Sequence, residues 1–167
     1  MTTTLALLVL FAAGTTTAAP RPVAPKSGSA LCVLAPDDFK AAGVSGAGKP
    51  NANVSDPASA YCVYAGKSGA TGGIELDVFD PAGDSEVDAK EAERIAMGEG
   101  GLSKPEELKL TGTDSAHWGL AKSGGPELAS LCVRRGMLVF TLSVPASKDA
   151  KAQLHKLAGL VLERLAK

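Results

Sequence analysis

The sequence predicts an α+β domain in which an antiparallel sheet of about five to six strands packs against two to three helices, with one disulfide. Two observations lead to this prediction. Short segments of strand-like composition follow one another through hairpin-sized loops, and hairpin-linked strands form antiparallel sheets. Segments with helical spacing of apolar residues lie between and after these strands, where they can pack on the sheet as a second layer. No internal repeat or second domain is evident in the sequence.

The first predicted element is a short helix over residues 36–43. A proline suits its first turn, Asp37 and Asp38 lie at the positive end of its dipole, and Gly43 ends it. Residues 45–57 are polar and rich in Gly, Pro and Asn, a composition that predicts a loop.

A hairpin follows, with strands over residues 61–65 and 73–79 joined by a glycine-rich loop. In its second strand, apolar residues alternate with Glu75 and Asp77, as in a strand with one buried and one solvated face. The two acids could suggest paired carboxylates, but a solvated strand face is the simpler interpretation.

The second predicted helix begins at Ser85, whose hydroxyl can cap it, and continues to Ala96. Glycines from Gly98 onward are expected to end it. Its buried stripe is thin and consists of Val87, Ala92, Ile95 and Ala96.

Four strands and a last helix complete the predicted domain. The strands span residues 107–111, 115–121, 127–134 and 137–144, and the last of them is the most apolar, which places it at the centre of the sheet. The final helix begins at Ser147 and extends to the end of the sequence. Its apolar stripe consists of Leu154, Leu157, Ala158, Val161 and Leu165.

Residues 1–18 are predicted to be a cleavable signal peptide. The apolar run at residues 5–13 has the length of a signal-peptide core and is shorter than the roughly 20 residues that cross a bilayer. Small residues follow, and we expect cleavage after Ala18. Residues 19–30 are a Pro-rich tether, and residues 31–167 form the single α+β domain. The protein is therefore expected to be secreted, extracellular or in the cell envelope, without membrane insertion after cleavage.

Composition argues against nucleic-acid partners. The formal net charge is −1, which gives no electrostatic attraction for nucleic acid or an anionic membrane. The aromatic residues, one Trp, two Tyr and four Phe, are dispersed rather than grouped into a stacking platform.

Three cysteines allow one intramolecular disulfide and leave one thiol, and the sequence alone leaves all three pairings open. A bridge between Cys32 and Cys62 would fasten the first helix to the sheet. Cys132 lies within an apolar strand-like segment, where a cysteine is most simply a small buried hydrophobe. A redox role for this thiol would require exposure and a low pKa.

Residues 43–50 reproduce the spacing of a phosphate-binding loop in the wrong context. The residue after Lys49 is Pro50 rather than a hydroxyl-bearing residue, and neither the preceding strand nor the following helix is predicted. No cofactor site is expected, and no Cys-x-x-Cys or His/Cys spacing suits a metal.

Candidate catalytic residues are few because the chain has two histidines. His155 is most simply a solvated helix position. A nucleophile, base and acid would have to converge only in the folded protein, and the least implausible trio is His117, Asp114 and Glu75.

Three short motifs carry a family resemblance: Cys32 before a helix with an acidic start, Cys62 beside an aromatic strand, and the turn at residues 112–118. In these features the chain resembles a family of small exported actinobacterial proteins and lipoproteins of unknown function. The resemblance implies a sandwich of sheet and helices similar in shape to the Mog1/PsbP-like fold, with Cys32 and Cys62 bridged. The chain departs from that family in lacking the lipid-anchor cysteine, and the family assigns no functional residues.

The function predicted from the sequence is that of a non-catalytic exported binding or accessory domain. Its partner is either an envelope protein or a small apolar molecule held between sheet and helices. The alternatives are a secreted enzyme using the trio above and a thiol-redox protein using Cys132.

Overall fold

A computed structural model describes residues 28–56, 59–64, 73–79, 89–99, 102–121 and 127–165 of the chain. The signal peptide predicted at residues 1–18 and the helix start predicted at Ser85 lie outside these ranges. The elements, in chain order, are a 3-10 turn (Gly28–Leu31), α1 (Pro36–Ala41), β1 (Asn51–Asp56), β2 (Ser59–Val63), β3 (Glu75–Phe79), α2 (Ala89–Glu99), β4 (Leu102–Glu107), β5 (Ser115–Ala121), β6 (Leu128–Arg135), β7 (Leu138–Pro145) and α3 (Ala150–Leu165).

The strands form one sheet in the order β1-β2-β3-β7-β6-β5-β4. Every neighbouring pair is antiparallel, so the predicted α+β class is confirmed. The most apolar strand, β7, occupies the centre as predicted. The turn from β6 to β7 uses Gly136 at φ +59°, a backbone conformation that favours glycine.

The predicted number of five to six strands is wrong, because the described sheet has seven. The strand that sequence reasoning missed is β1, whose Asn- and Ser-containing sequence is more typical of a loop. The strand predicted at residues 107–111 lies earlier in the chain, as β4. β4 contains Pro105 and has Lys104 at φ +50°, and its register with β5 shifts between Ser103 and Glu106. β1 and β4 are the two edge strands of the sheet, where irregular backbone is tolerated.

The main core lies on the face of the sheet that α1 and α3 cover. Leu76, Leu142 and Leu131 face one another across three strands on this side, and all are fully buried. The predicted stripe of α3 packs against them, and Leu165 contacts the edge of the core. The fully buried residues of that stripe are Leu154, Leu157, Ala158 and Val161.

Two links fasten the N-terminal segment to this core. The Cys32–Cys62 disulfide, with a Cα–Cα distance of 5.7 Å, joins it to β2, so the expected pairing is confirmed. The Arg164 guanidinium donates to both carboxylate oxygens of Asp38, at 2.5 and 2.7 Å. These hydrogen bonds hold the pKa of Asp38 below its usual value. The ends of α1 and α3 are thereby tied together.

Helix α2 packs on the opposite face of the sheet. Its Ala89 contacts Cys132 and Val139, and Ala92, Ala96 and Met97 are half-buried around them. Two details of the predicted helix are wrong. It continues through Gly98 to Glu99, and Ile95, which we assigned to the buried stripe, is 37% exposed.

Candidate ligand-binding groove

A groove opens between α2 and the sheet face beneath it. Its cavity volume is about 290 Å³, close to the lower end of small-molecule sites. The lining residues come from β2, β3, β7 and α2: Ser59, Asp77, Phe79, Ala92, Ile95, Ala96, Val139, Phe140 and Thr141. The surface is therefore mainly apolar, with a few polar groups.

The floor of the groove follows from the pairing of β3 with β7. Phe79 lies opposite Val139 and Asp77 lies opposite Thr141. Because side chains alternate along a strand, these four project from the same face, away from the α3 core. A phenyl ring and a valine thus adjoin a carboxylate and a hydroxyl along one row of the sheet.

The α2 side of the groove is built from small residues and one large one. Ala92 and Ala96 are one helical turn apart and keep the helix surface low at this position. Ile95 stands beside them and is exposed because it faces the groove rather than the packed part of the sheet. Sequence analysis placed Ile95 in the buried stripe of α2, and its exposure became evident only from the structure.

The polar end of the groove is acidic. Asp77 is exposed, and Tyr61 and Glu75 are its neighbours on the same sheet face. Partial burial, a hydrogen bond to Glu75 and the charges of Glu75 and Asp77 raise the pKa of Tyr61 to about 12. The Tyr61 hydroxyl therefore stays protonated and acts as a donor to Glu75.

A partly buried ionic cluster centred on the buried Glu93 links α2 to the sheet beside the groove. Glu93 accepts hydrogen bonds from Ser115 at 2.5 Å and from the Arg134 guanidinium at 3.0 Å. The His117 imidazole is 3.5 Å from the same carboxylate. Arg134 also donates to Asp114 at 3.1 Å, so a single arginine joins α2 to the loop before β5. We call Glu93, Ser115, His117, Arg134 and Asp114 the α2 clamp.

The trio named from the sequence does not converge. His117 contacts Glu93 and Asp114 contacts Arg134, so both residues belong to the α2 clamp. Glu75 is on β3, separated from β5 by β7 and β6, which places its backbone about 14 Å away across three strand spacings. The Ser115 hydroxyl donates to Glu93 rather than to His117, so no hydroxyl–imidazole pair is formed there. The described geometry therefore does not assemble His117, Asp114 and Glu75 into one site.

Cys132 lies beneath α2, fully buried against Ala89 and Val139. Burial raises the pKa of its thiol to about 12. Thiol-redox chemistry needs an accessible thiolate, so this environment is unfavourable for that alternative.

The other sequence candidates lie apart from the groove. His155 is on the exposed side of α3. Residues 43–50 connect α1 to the edge strand β1, so a strand rather than a helix follows the phosphate-loop spacing. Within the described ranges, no three His, Cys, Asp or Glu side chains are grouped so that they could hold a metal ion. None of the helices in these ranges is both long enough and apolar enough to span a membrane.

Comparison with known proteins adds no identification. No protein-family model matches the chain, and no curated protein matches it. The resemblance to small exported actinobacterial proteins therefore stays a prediction, and the function has to be inferred from the groove.

Proposed function

We propose that this protein is an exported, non-catalytic binding protein that holds a small, mainly apolar molecule in the groove between α2 and the sheet. The observation that carries the proposal is the groove itself, with a cavity of about 290 Å³ lined by Phe79, Val139 and Ile95. Mostly apolar cavities with a few fixed polar groups are the usual form of small-molecule sites.

The chemistry of the lining favours binding over catalysis. Asp77, Thr141 and Ser59 are the polar residues among the described lining residues, and they include no histidine, cysteine or lysine. A carboxylate and two hydroxyls can orient a ligand by hydrogen bonds. The histidine nearest along the sheet, His117, is committed to the α2 clamp.

Export is supported by two features. Residues 1–18 have the pattern of a signal peptide. The Cys32–Cys62 disulfide suits a protein that folds in an oxidising compartment. We place the mature protein outside the cytoplasm, in the envelope or the medium.

Intact mass measurement of the protein purified from the organism that encodes it tests this proposal. Under native conditions we expect a mass greater than under denaturing conditions, by the mass of one bound small molecule. The denaturing mass also reports cleavage after Ala18. Equal native and denatured masses would overturn the carrier proposal and favour a protein partner instead.

Variants locate the bound molecule. Ala96→Phe places a ring in the groove and should remove the extra mass, whereas Ala152→Phe makes the same substitution at an exposed position of α3 and should retain it. If Ala96→Phe fails to fold, Ile95→Ala serves in its place, because this side chain is 37% exposed and its loss should weaken binding without unfolding the protein. Retention of the molecule by every folded groove variant would place it elsewhere.

A further inference from the structure

The groove beside α2 is closed on one side and open on the other. Successive residues of a helix are rotated by about 100°, so Glu93 and Ile95 project from opposite sides of α2. Between them runs a row of small residues: Ala89, Ala92 and Ala96. Ala89, which lies nearest Glu93 in this row, is buried against the sheet, whereas Ile95 is exposed. A ligand therefore enters beside Ile95 and is stopped where the helix meets the sheet.

The inner wall of the groove is formed by Ala92 and Ala96. Both line the cavity, and both pack against the buried cluster that contains Val139. An alanine side chain has no rotamers, so it can neither swing aside for a larger ligand nor extend to fill space beside a smaller one. Phe79 and Val139 form the floor opposite, and Val139 is itself buried. The depth of the groove is therefore set by the small size of two fixed side chains.

The cavity volume limits what this wall admits. At about 30 Å³ for each water-sized group, a cavity of about 290 Å³ accommodates about ten non-hydrogen atoms. We propose that the groove selects its ligand by size: the natural ligand is a compact apolar molecule of about ten non-hydrogen atoms, and Ala92 and Ala96 set this limit. This inference rests on the proposed function, since it names the class of molecule that the same groove holds. A long-chain lipid falls outside the class, because most of its tail would remain in water.

Selection by size has a measurable form. Each methylene that is buried in the groove should raise the affinity about fourfold, whereas a methylene that extends past Ile95 into water should change it little. Affinity is therefore expected to rise steeply with chain length and to level off at the length that fills the cavity. This selection depends on apolar volume and requires no particular charge at the polar end of the ligand.

A series of linear alcohols from butanol to dodecanol tests the inference, with dissociation constants obtained from amide chemical-shift titrations of the mature protein. For the wild type, the affinity should rise about fourfold for each added carbon up to about nonanol, and by less than about twofold for each carbon beyond it. The alcohols share one head group, so the probes differ only in the length of the apolar part.

Ala96→Leu and Ala92→Leu narrow the groove at two separate positions of its wall. Leucine adds about three carbon-sized groups, so in either variant the affinity should level off about three carbons earlier, while the shortest alcohols bind nearly as they do to the wild type. Both alanines are half-buried beside an open cavity, so the larger side chain has space to enter. If a leucine variant fails to fold, Ala96→Val serves in its place, with a shift of about two carbons. Ala152→Leu is the matched control, because it makes the same substitution at an exposed position of α3 and should level off with the wild type.

The outcomes separate selection by size from the groove proposal. Levelling off near nonanol in the wild type, and earlier in a folded variant of the wall, supports both. If the affinity keeps rising through dodecanol, or levels off at the same length in the folded wall variants as in the wild type, selection by size is overturned and the groove proposal stands. If no alcohol binds, or if Ala96→Phe binds the series as the wild type does, the groove proposal itself fails.

Discussion

Replacing Glu93 by glutamine tests whether the α2 clamp holds the helix that forms one side of the groove. Glu93 is 7% exposed and contacts the Arg134 guanidinium at 3.0 Å, the Ser115 hydroxyl at 2.5 Å and the His117 imidazole at 3.5 Å. Glutamine has nearly the same shape, so the Glu93→Gln variant removes the charge while leaving the packing of α2 intact.

The expected loss in free energy of unfolding is about 2 kcal/mol. Removing one member of a buried ion pair costs about 3–5 kcal/mol, and a hydrogen bond to a charged group contributes about 1.5–3 kcal/mol. The expected loss lies toward the lower end of these two ranges, because the Arg134 side chain keeps Asp114 as a partner and is 17% exposed. In urea the unfolding midpoint should fall by about 1 M with an unchanged slope.

Glu91→Gln is the matched control for this measurement. Glu91 is on the same helix and pairs with Arg94, but both side chains are exposed, so its substitution should leave the urea midpoint unchanged. A Glu93→Gln variant whose free energy of unfolding lies within about 0.5 kcal/mol of the wild type would refute the reasoning, as would equal effects of the two substitutions.

Three further predictions concern the cysteines and a buried tyrosine. Reducing the Cys32–Cys62 bridge, which spans a sequence separation of 30, should lower the free energy of unfolding by about 3–4 kcal/mol. Urea titration with and without reductant measures this loss, and an unchanged unfolding midpoint would contradict the prediction. Cys132 should resist a thiol reagent in native protein at pH 8, because burial raises its pKa to about 12, and rapid labelling before unfolding would show an accessible thiol. Tyr64→Phe should be as stable as the wild type or more so at neutral pH, because the buried hydroxyl lacks a hydrogen bond of good geometry; a clear loss would reveal a partner. Burial raises the pKa of the Tyr64 hydroxyl from 10 to about 12, so the unfolded chain loses this proton at a lower pH than the folded protein does. As the pH rises from 10 to about 12, the wild type should therefore lose more free energy of unfolding than Tyr64→Phe.

The fold could be predicted wherever the local pattern was strong. The alternation in β3, the apolar run of β7 and the stripe of α3 each reflect burial against the sheet, and the structure confirms all three. The edge strands of the sheet could not be predicted from local sequence patterns in this way. β1 is an edge strand whose one neighbour is β2. Its residues form a strand because they pair with β2, although their sequence favours a loop.

The groove could not be predicted, because it depends on how α2 lies on the sheet. Phe79 and Val139 are distant in sequence and become neighbours only through the β3–β7 pairing. Glu93 has no sequence feature that distinguishes it from Glu91, yet one is buried in the clamp and the other is exposed. The docking of α2 on the sheet determines both the groove and the α2 clamp. This docking depends on contacts between segments that are distant in the sequence, so no single segment predicts it.

Chemical-shift mapping is the measurement that tests the central claim most directly. Isotope-labelled protein would be titrated with octanol, a small and mainly apolar probe, and the shifted amide signals assigned to residues. We expect the largest shifts at the groove, around Phe79, Ile95 and Thr141, and none at Leu157 in the α3 core. Saturable shifts confined to these groove residues would support a ligand site between α2 and the sheet. Shifts that concentrate on another face, or no shifts at all, would contradict it.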